Sequence, residues 1–104
     1  MDKYSRGYAL VPFKEHPALG GLGGWLNPEV RDFGSDEENI REYVRRLPEE
    51  SADALVQGKA YLKLSPFPWQ YIVTNYNRYF PDEESTKQWF ASILKMIEEE
   101  KAKA

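Results

Sequence analysis

A chain of 104 residues with 41% hydrophobic and 30% charged side chains is large enough for one hydrophobic core and too small for two. Its net charge of -3 has the wrong sign for a protein that coats phosphate backbones. The chain has no cysteine, which excludes disulfides, and no apolar run as long as a membrane span, so we expect one domain, residues 1–104, in the cytoplasm.

The first two predicted elements are a strand and a short helix. Residues 6–13 are apolar and aromatic and contain Pro12, which is compatible with a short edge strand or an extended arm packed on the core. Further on, four apolar residues recur at helical spacing: Leu19, Leu22, Trp25 and Leu26. Four glycines in the same stretch each cost about 1 kcal/mol in a helix interior, but glycine also allows close packing. We therefore predict a tightly packed helix ending near Asn27, with a loop as the alternative.

Capping signals predict the next two helices. Ser35 and Glu38 have the spacing of a capping box, so a helix begins there. Its predicted buried residues are Ile40, Tyr43, Val44 and Leu47. Pro48 ends this helix and permits another over 49–57, with Gly58 as its stop. The buried residues of that second helix would be Ala52, Leu55 and Val56. Residues 59–64 fit either a helix or a strand.

The clearest helical pattern covers residues 68–80. Its apolar positions are Trp69, Ile72, Val73, Tyr76, Tyr79 and Phe80. Ser85 and Gln88 form a second possible capping box, followed by a wide apolar stripe and a polar tail, 98–104, that we expect to fray. Together these patterns predict a mainly α fold: a compact bundle of four or five helices, with a possible short strand at the N-terminus.

The residues that catalysis or metal binding would need are absent from the sequence. The only histidine, His16, has no second ligand at metal-site spacing. The acidic triplets 36–38 and 82–84 lack the glycine and distal glutamate of a calcium loop, and the glycines of 20–24 lack the lysine of a phosphate-binding loop. No nucleophile can be matched with a base. We predict a protein that is not an enzyme and that uses no metal ion or cofactor.

The carboxylates are unevenly distributed along the chain. Nine of the seventeen lie within residues 29–53 and none lies within 54–81. Helical spacing pairs Glu37 with Arg41, and Glu42 with Arg45 and Arg46, as weak surface ion pairs. Other carboxylates lack such a cation and are better suited to face a basic partner. The candidate protein-binding residues are Asp32, Glu38, Glu42, Glu49, Glu50 and Asp53.

The acid-free segment 54–81 suggests a different class of partner. It contains seven of the fifteen aromatic residues, on which the bases of single-stranded nucleic acid could stack. Because most of these aromatics share one helix face and are better explained as core, few exposed contacts remain: Tyr61, Tyr71, Lys59, Lys63 and Arg78. A small nucleic-acid-binding adaptor is therefore the alternative function, less favoured than a protein-binding one.

A series of landmarks runs through residues 14–64: Pro17, Leu19, Leu22, Trp25, the pair Asp32 and Phe33, and an acidic helix start leading into 40–44. This order resembles the small immunity proteins of bacterial contact-dependent growth inhibition and related polymorphic toxin systems. The resemblance implies a stoichiometric inhibitor that binds a cognate toxin domain, often a nuclease, and blocks its active site in the cytoplasm of the producing cell. Carboxylates at the binding surface would then stand in for substrate phosphates.

Overall fold

The computed structural model describes residues 15–29 and 34–103, and 75% of these residues are helical. No strand occurs within the described ranges, where the five helices are α1 (Ala18–Leu26), α2 (Asp36–Arg46), α3 (Pro48–Leu62), α4 (Trp69–Tyr76) and α5 (Glu83–Lys103). The mainly α bundle predicted from the sequence is therefore confirmed. The strand predicted over 6–13 lies outside the described residues.

The glycine-rich segment forms a helix, α1, so the loop alternative was wrong. Its four predicted apolar residues are all buried. Gly23 is also buried, and a Cβ at this position would lie 2.7 Å from the Tyr76 ring, so the glycine makes room for an aromatic side chain. The start of α1 has no cap of its own, but the backbone N–H of Ala18 donates to the Gln57 side chain at 2.8 Å. The helix thus depends on neighbouring elements for its stability.

Helix α2 begins as its capping box predicts. The Glu38 N–H donates to Ser35 Oγ at 3.2 Å, and the Ser35 N–H donates to Glu38 Oε1 at 2.8 Å. Leu47, however, is 37% exposed, although the sequence pattern places it in the core. Its backbone is not helical, with φ −132° and ψ 66°, so its side chain leaves the buried stripe at the junction with α3.

Helix α3 differs from its prediction in length and in register. It continues through Gly58 to Leu62, so Gly58 is not a stop and the first part of 59–64 is helical. Gly58 is buried instead, and a Cβ there would lie 2.5 Å from Leu94 Cδ2 of α5. The buried residues are Ser51, Ala54, Gly58 and Tyr61. Of the predicted buried residues, Leu55 is partly buried against the core, but the prediction for Val56 was wrong, because small side chains let α3 lie close to α5 and leave Val56 70% exposed.

Helix α4 is shorter than the pattern predicts. Asn77 adopts the left-handed conformation, with φ 53° and ψ 48°, which ends the helix at Tyr76. The predicted stripe extended to Tyr79 and Phe80, but Tyr79 is 84% exposed.

Helix α5 is longer than predicted at both ends. It begins at Glu83, where Asp82 Oδ1 accepts from the Ser85 N–H at 2.8 Å, so Asp82 fills the capping role assigned to Ser85. The helix continues to Lys103 where fraying was expected. Lys101 Nζ donates to the Pro48 carbonyl at 2.9 Å, which attaches the end of α5 to the start of α3.

The core lies between all five helices and is rich in tyrosine. Helix α3 packs against α1, α2 and α5, whereas α4 packs against α1 and α5. Three fully buried tyrosines donate their hydroxyls to acceptors inside the fold: Tyr43 to Glu50, Tyr61 to the Pro68 carbonyl, and Tyr76 to the Leu19 carbonyl. Burial is the main cause that raises the pKa of all three, so the hydroxyls keep the protons that they donate. Within the described ranges, no helix is both long and apolar enough to cross a membrane.

Candidate protein-binding surface

Two of the six candidate carboxylates are engaged by their own helix. Glu38 accepts from the Ser35 backbone as part of the capping box. Glu42 accepts from Arg45 and from Arg46 Nε, the latter at 3.0 Å, and the hydrogen bond from Arg45 is the main cause that lowers the pKa of Glu42. Both carboxylates therefore have partners within α2. Asp32 lies outside the described residues.

Glu50 has a structural position between three helices. Its Oε2 accepts from the Tyr43 hydroxyl at 3.0 Å and lies against α1, where a Cβ on Gly21 would be 2.6 Å from it. After burial, the charge of Glu50 is the next cause that raises the pKa of Tyr43. A substitution at Glu50 would consequently disturb the contact between α1, α2 and α3 as well as the surface.

Glu49 and Asp53 remain as the exposed acidic pair. They lie one turn apart on α3, and neither forms an ion pair with a cation of the described part of the chain. Glu49 occupies the first turn of the helix, where the helix dipole favours an acid. Asp53 lies beyond that turn, so the helix dipole does not explain an acidic residue at this position. These two carboxylates are available to a partner without breaking an internal contact.

The exposed side of α3 continues from these acids into apolar residues. At helical spacing, the side that carries Glu49 and Asp53 also carries Val56 and Ala60, and Leu64 follows just after the helix ends. We call these five residues the α3 face. Val56 is 70% exposed and Leu64 is 41% exposed. The α3 face therefore combines an acidic end with an apolar end.

Val56 and Leu64 were not among the candidates predicted from the sequence. The sequence pattern placed Val56 in the core, because Leu55 and Val56 are the largest apolar side chains in that stretch. The spacing of the small residues Ser51, Ala54 and Gly58, followed by Tyr61, was the signal that indicates the correct register. Because these residues face the neighbouring helices, Leu55 is partly buried at the edge of the core and Val56 lies on the opposite, exposed side of α3.

Most of the residues proposed to contact nucleic acid are buried or already paired in the structure. Tyr61 is fully buried, so its prediction as an exposed contact was wrong. Lys59 Nζ lies 2.9 Å from Glu98 Oε2, and Arg78 Nη2 lies 2.6 Å from Asp36 Oδ1. Of the five proposed contacts, this leaves Tyr71 and Lys63, which are too few to bind a phosphate backbone strongly.

A groove of about 390 Å³ between the ends of α2 and α5 is lined by Arg41, Val44, Arg45, Pro48, Glu100 and Lys103. Glu100 Oε2 lies 3.7 Å from Arg41 Nε and 3.1 Å from Lys103 Nζ, and Arg45 is paired with Glu42. Because these cations already face carboxylates, the groove offers little net charge to an ionic ligand. Among the residues that the structure describes, no cluster of histidine, aspartate and glutamate could hold a metal ion.

Comparison with models of known protein families, with curated proteins and with solved structures gives no match. The α3 face is consequently the feature of the molecule from which a function can be inferred.

Proposed function

We propose that this protein is an immunity protein, which binds a cognate toxin domain and neutralises it by blocking its active site. The observation that carries the proposal is the pair of exposed carboxylates, Glu49 and Asp53, held one turn apart on a helix whose opposite side is buried. The resemblance of residues 14–64 to immunity proteins supports the same function.

The chemistry of such an inhibitor follows from charge and position. An active site that binds phosphate groups, as in a nuclease, is cationic, and two carboxylates about 6 Å apart on a helix can take the places of two phosphates. The attraction also acts at a distance and raises the association rate. No bond is made or broken by the inhibitor. A chain with one histidine and no cysteine is suited to this role.

The rigidity of α3 contributes to binding. Its buried residues Ala54 and Tyr61 belong to the same core cluster as Leu94 of α5, and Glu50 joins its first turn to Tyr43 of α2. A helix fixed in this way loses little conformational freedom when a partner binds. The acidic pair is therefore presented in one geometry before the toxin arrives.

The variant E49K/D53K tests the acidic end of the α3 face. We expect its association rate with the toxin domain to fall by about 10-fold to 100-fold at low ionic strength, because electrostatic steering is lost. The rate should also become less sensitive to added salt. Stopped-flow mixing at two salt concentrations measures both effects. The probe is the C-terminal domain of the large exported protein that we expect to be encoded beside this chain.

A matched control separates a local effect from one of net charge. The variant E15K/E99K changes two exposed glutamates that lie outside α3 and alters the net charge by the same amount. We expect it to associate at a rate close to that of the unmodified protein. Equal slowing by both variants, or no slowing by either at low salt, would reject the acidic pair as the binding site.

A further inference from the structure

We propose that the toxin domain binds α3 lengthwise, with a cationic centre facing Glu49 and Asp53 and an apolar groove beside it that receives Val56 and Leu64. This inference rests on the proposed function and adds the shape and chemistry of the partner surface. The binding mode is that of a helix laid into a groove and read at successive turns of one face.

The exposure of Val56 is the first observation that supports it. Val56 is the most exposed large aliphatic side chain in the described part of the protein, at 70%, and it lies in the middle of a helix. Valine forms helices less readily than alanine, glutamate or lysine, so local helix stability gives no reason for it there. It makes no contribution to the core either. A partner that covers Val56 would account for an apolar residue at this position.

The arrangement of the face indicates how the partner lies on it. From Glu49 to Leu64 the chain rises about 22 Å along the helix direction, and the acids occupy the first third of that length. The carboxylates and the aliphatic residues are thus separated along one line, with the exposed Lys63 beside the apolar end. A complementary groove would be basic at one end and apolar at the other, which fits a helix placed across the edge of a phosphate-binding cleft.

A second copy of this chain is a poorer occupant. In a symmetric dimer formed through the α3 face, two antiparallel helices would place Glu49 and Asp53 against the apolar end of the partner helix. The two carboxylates would then lose hydration and gain only one cation, Lys63, which lies beside Leu64. A parallel arrangement would bring four carboxylates together. Neither arrangement balances the carboxylates, so a basic partner is the occupant that the charges support.

The test uses one variant at each end of the α3 face and compares their association and dissociation rates. The variant V56S/L64S removes exposed aliphatic surface, and serine has nearly the helix propensity of valine, so the fold is retained. The neighbouring toxin domain is the probe. We expect the complex of V56S/L64S with this domain to dissociate about 10-fold to 100-fold faster than that of the unmodified protein, while the association rate changes by less than about 3-fold. E49K/D53K should instead lower the association rate, which V56S/L64S leaves nearly unchanged.

Tyr79 provides the control, because it is 84% exposed and follows α4, which does not pack against α3. Y79S should leave both rates unchanged. If the complex forms and V56S/L64S dissociates no faster, or if Y79S has the same effect, the lengthwise arrangement is wrong while the inhibitor function stands. If the unmodified protein forms no complex with the toxin domain, both proposals fail. A dimer of the unmodified chain that V56S/L64S abolishes would assign the face to a second copy and overturn the inference.

Discussion

Replacing Arg78 with alanine is expected to destabilise the fold by about 2 to 3 kcal/mol, because this one side chain contacts three helices, α1, α2 and α5. Its Nη2 lies 2.6 Å from Asp36 Oδ1 at the start of α2, and its Nη1 lies 3.2 Å from Asp36 Oδ2. Nε and Nη2 also donate to the Leu26 carbonyl at the end of α1, at 3.1 and 2.7 Å. The guanidinium carbon lies 5.1 Å from the centre of the Trp89 ring on α5.

The expected loss of stability depends on how far the contacts of Arg78 are shielded from water. Removing one member of a fully buried ion pair costs about 3 to 5 kcal/mol, whereas exposed pairs contribute about 0 to 1 kcal/mol. The side chains of Arg78 and Asp36 are 23% and 26% exposed, which places this pair between those limits. The variant also leaves Asp36 with only the Trp89 Nε1–H, at 3.3 Å, among these contacts. Thermal unfolding followed by circular dichroism should show a midpoint lowered by about 10 to 20 °C.

Two further variants test whether the loss of stability is specific to the guanidinium group. R78K keeps the charge but has one donor nitrogen in place of the three that contact Asp36 and Leu26, so we expect it to recover less than half of the loss. K59A breaks an ion pair in which both side chains are more than half exposed, at 53% and 57%, and should cost less than about 1 kcal/mol. An R78A protein as stable as K59A would contradict the role given to Arg78.

Alanine substitutions at two adjacent glycines of α1 are expected to change stability in opposite directions. At Gly23 a Cβ would lie 2.7 Å from two carbons of the Tyr76 ring, and that ring cannot move away easily because its hydroxyl donates to the Leu19 carbonyl at 2.8 Å. At Gly24 a Cβ would have no neighbour within 4 Å. The two sites therefore share a helix and differ in the space beside them.

The magnitudes follow from packing and helix propensity. In a helix interior alanine is more favourable than glycine by about 1 kcal/mol, so G24A should raise the free energy of unfolding by up to that amount. At Gly23 the same gain is opposed by overpacking, which costs about 1 to 3 kcal/mol, and we expect G23A to be destabilised by about 1 to 2 kcal/mol. Urea unfolding of the three proteins measures the difference. If G23A and G24A were stabilised equally, the packing of Tyr76 against α1 would be wrong.

Local signals in the sequence were sufficient for most helices and insufficient for their ends. The capping box at Ser35 depends on residues three positions apart, and it forms as predicted. The end of α4 depends on the left-handed Asn77, and the start of α5 depends on Asp82, which competes with the equally plausible Ser85. Where two nearby residues can perform the same role, tertiary packing decides between them.

The sequence pattern could not predict contacts between residues that are far apart along the chain. Arg78 and Asp36 are separated by 42 residues, and no periodicity relates them. The contact between Tyr43 and Glu50 crosses the junction of two helices, so it depends on the angle at Leu47. Of the carboxylates chosen from the sequence, only Glu38, in the capping box, and Glu42, paired with Arg45 and Arg46, had contacts that could be predicted from spacing.

The apolar half of the α3 face shows why register matters more than composition. Leu55 and Val56 are adjacent and equally apolar in character, and helical geometry allows only one of them to face the core fully. The choice is made by Ser51, Ala54 and Gly58, whose small size permits close approach to neighbouring helices. A sequence analysis that weighs small residues as core residues would have found Val56 on the surface.

The most direct measurement of the central claim is a titration of the neighbouring toxin domain with this protein, in which the remaining toxin activity is recorded against the molar ratio. Stoichiometric inhibition predicts a linear decrease that reaches zero at one equivalent, with no further chemical change in the toxin. Complete loss of activity at a ratio far below one would mean catalytic inactivation, and undiminished activity in excess of this protein would mean no inhibition. Either result would contradict an inhibitor that acts through an exposed helix face.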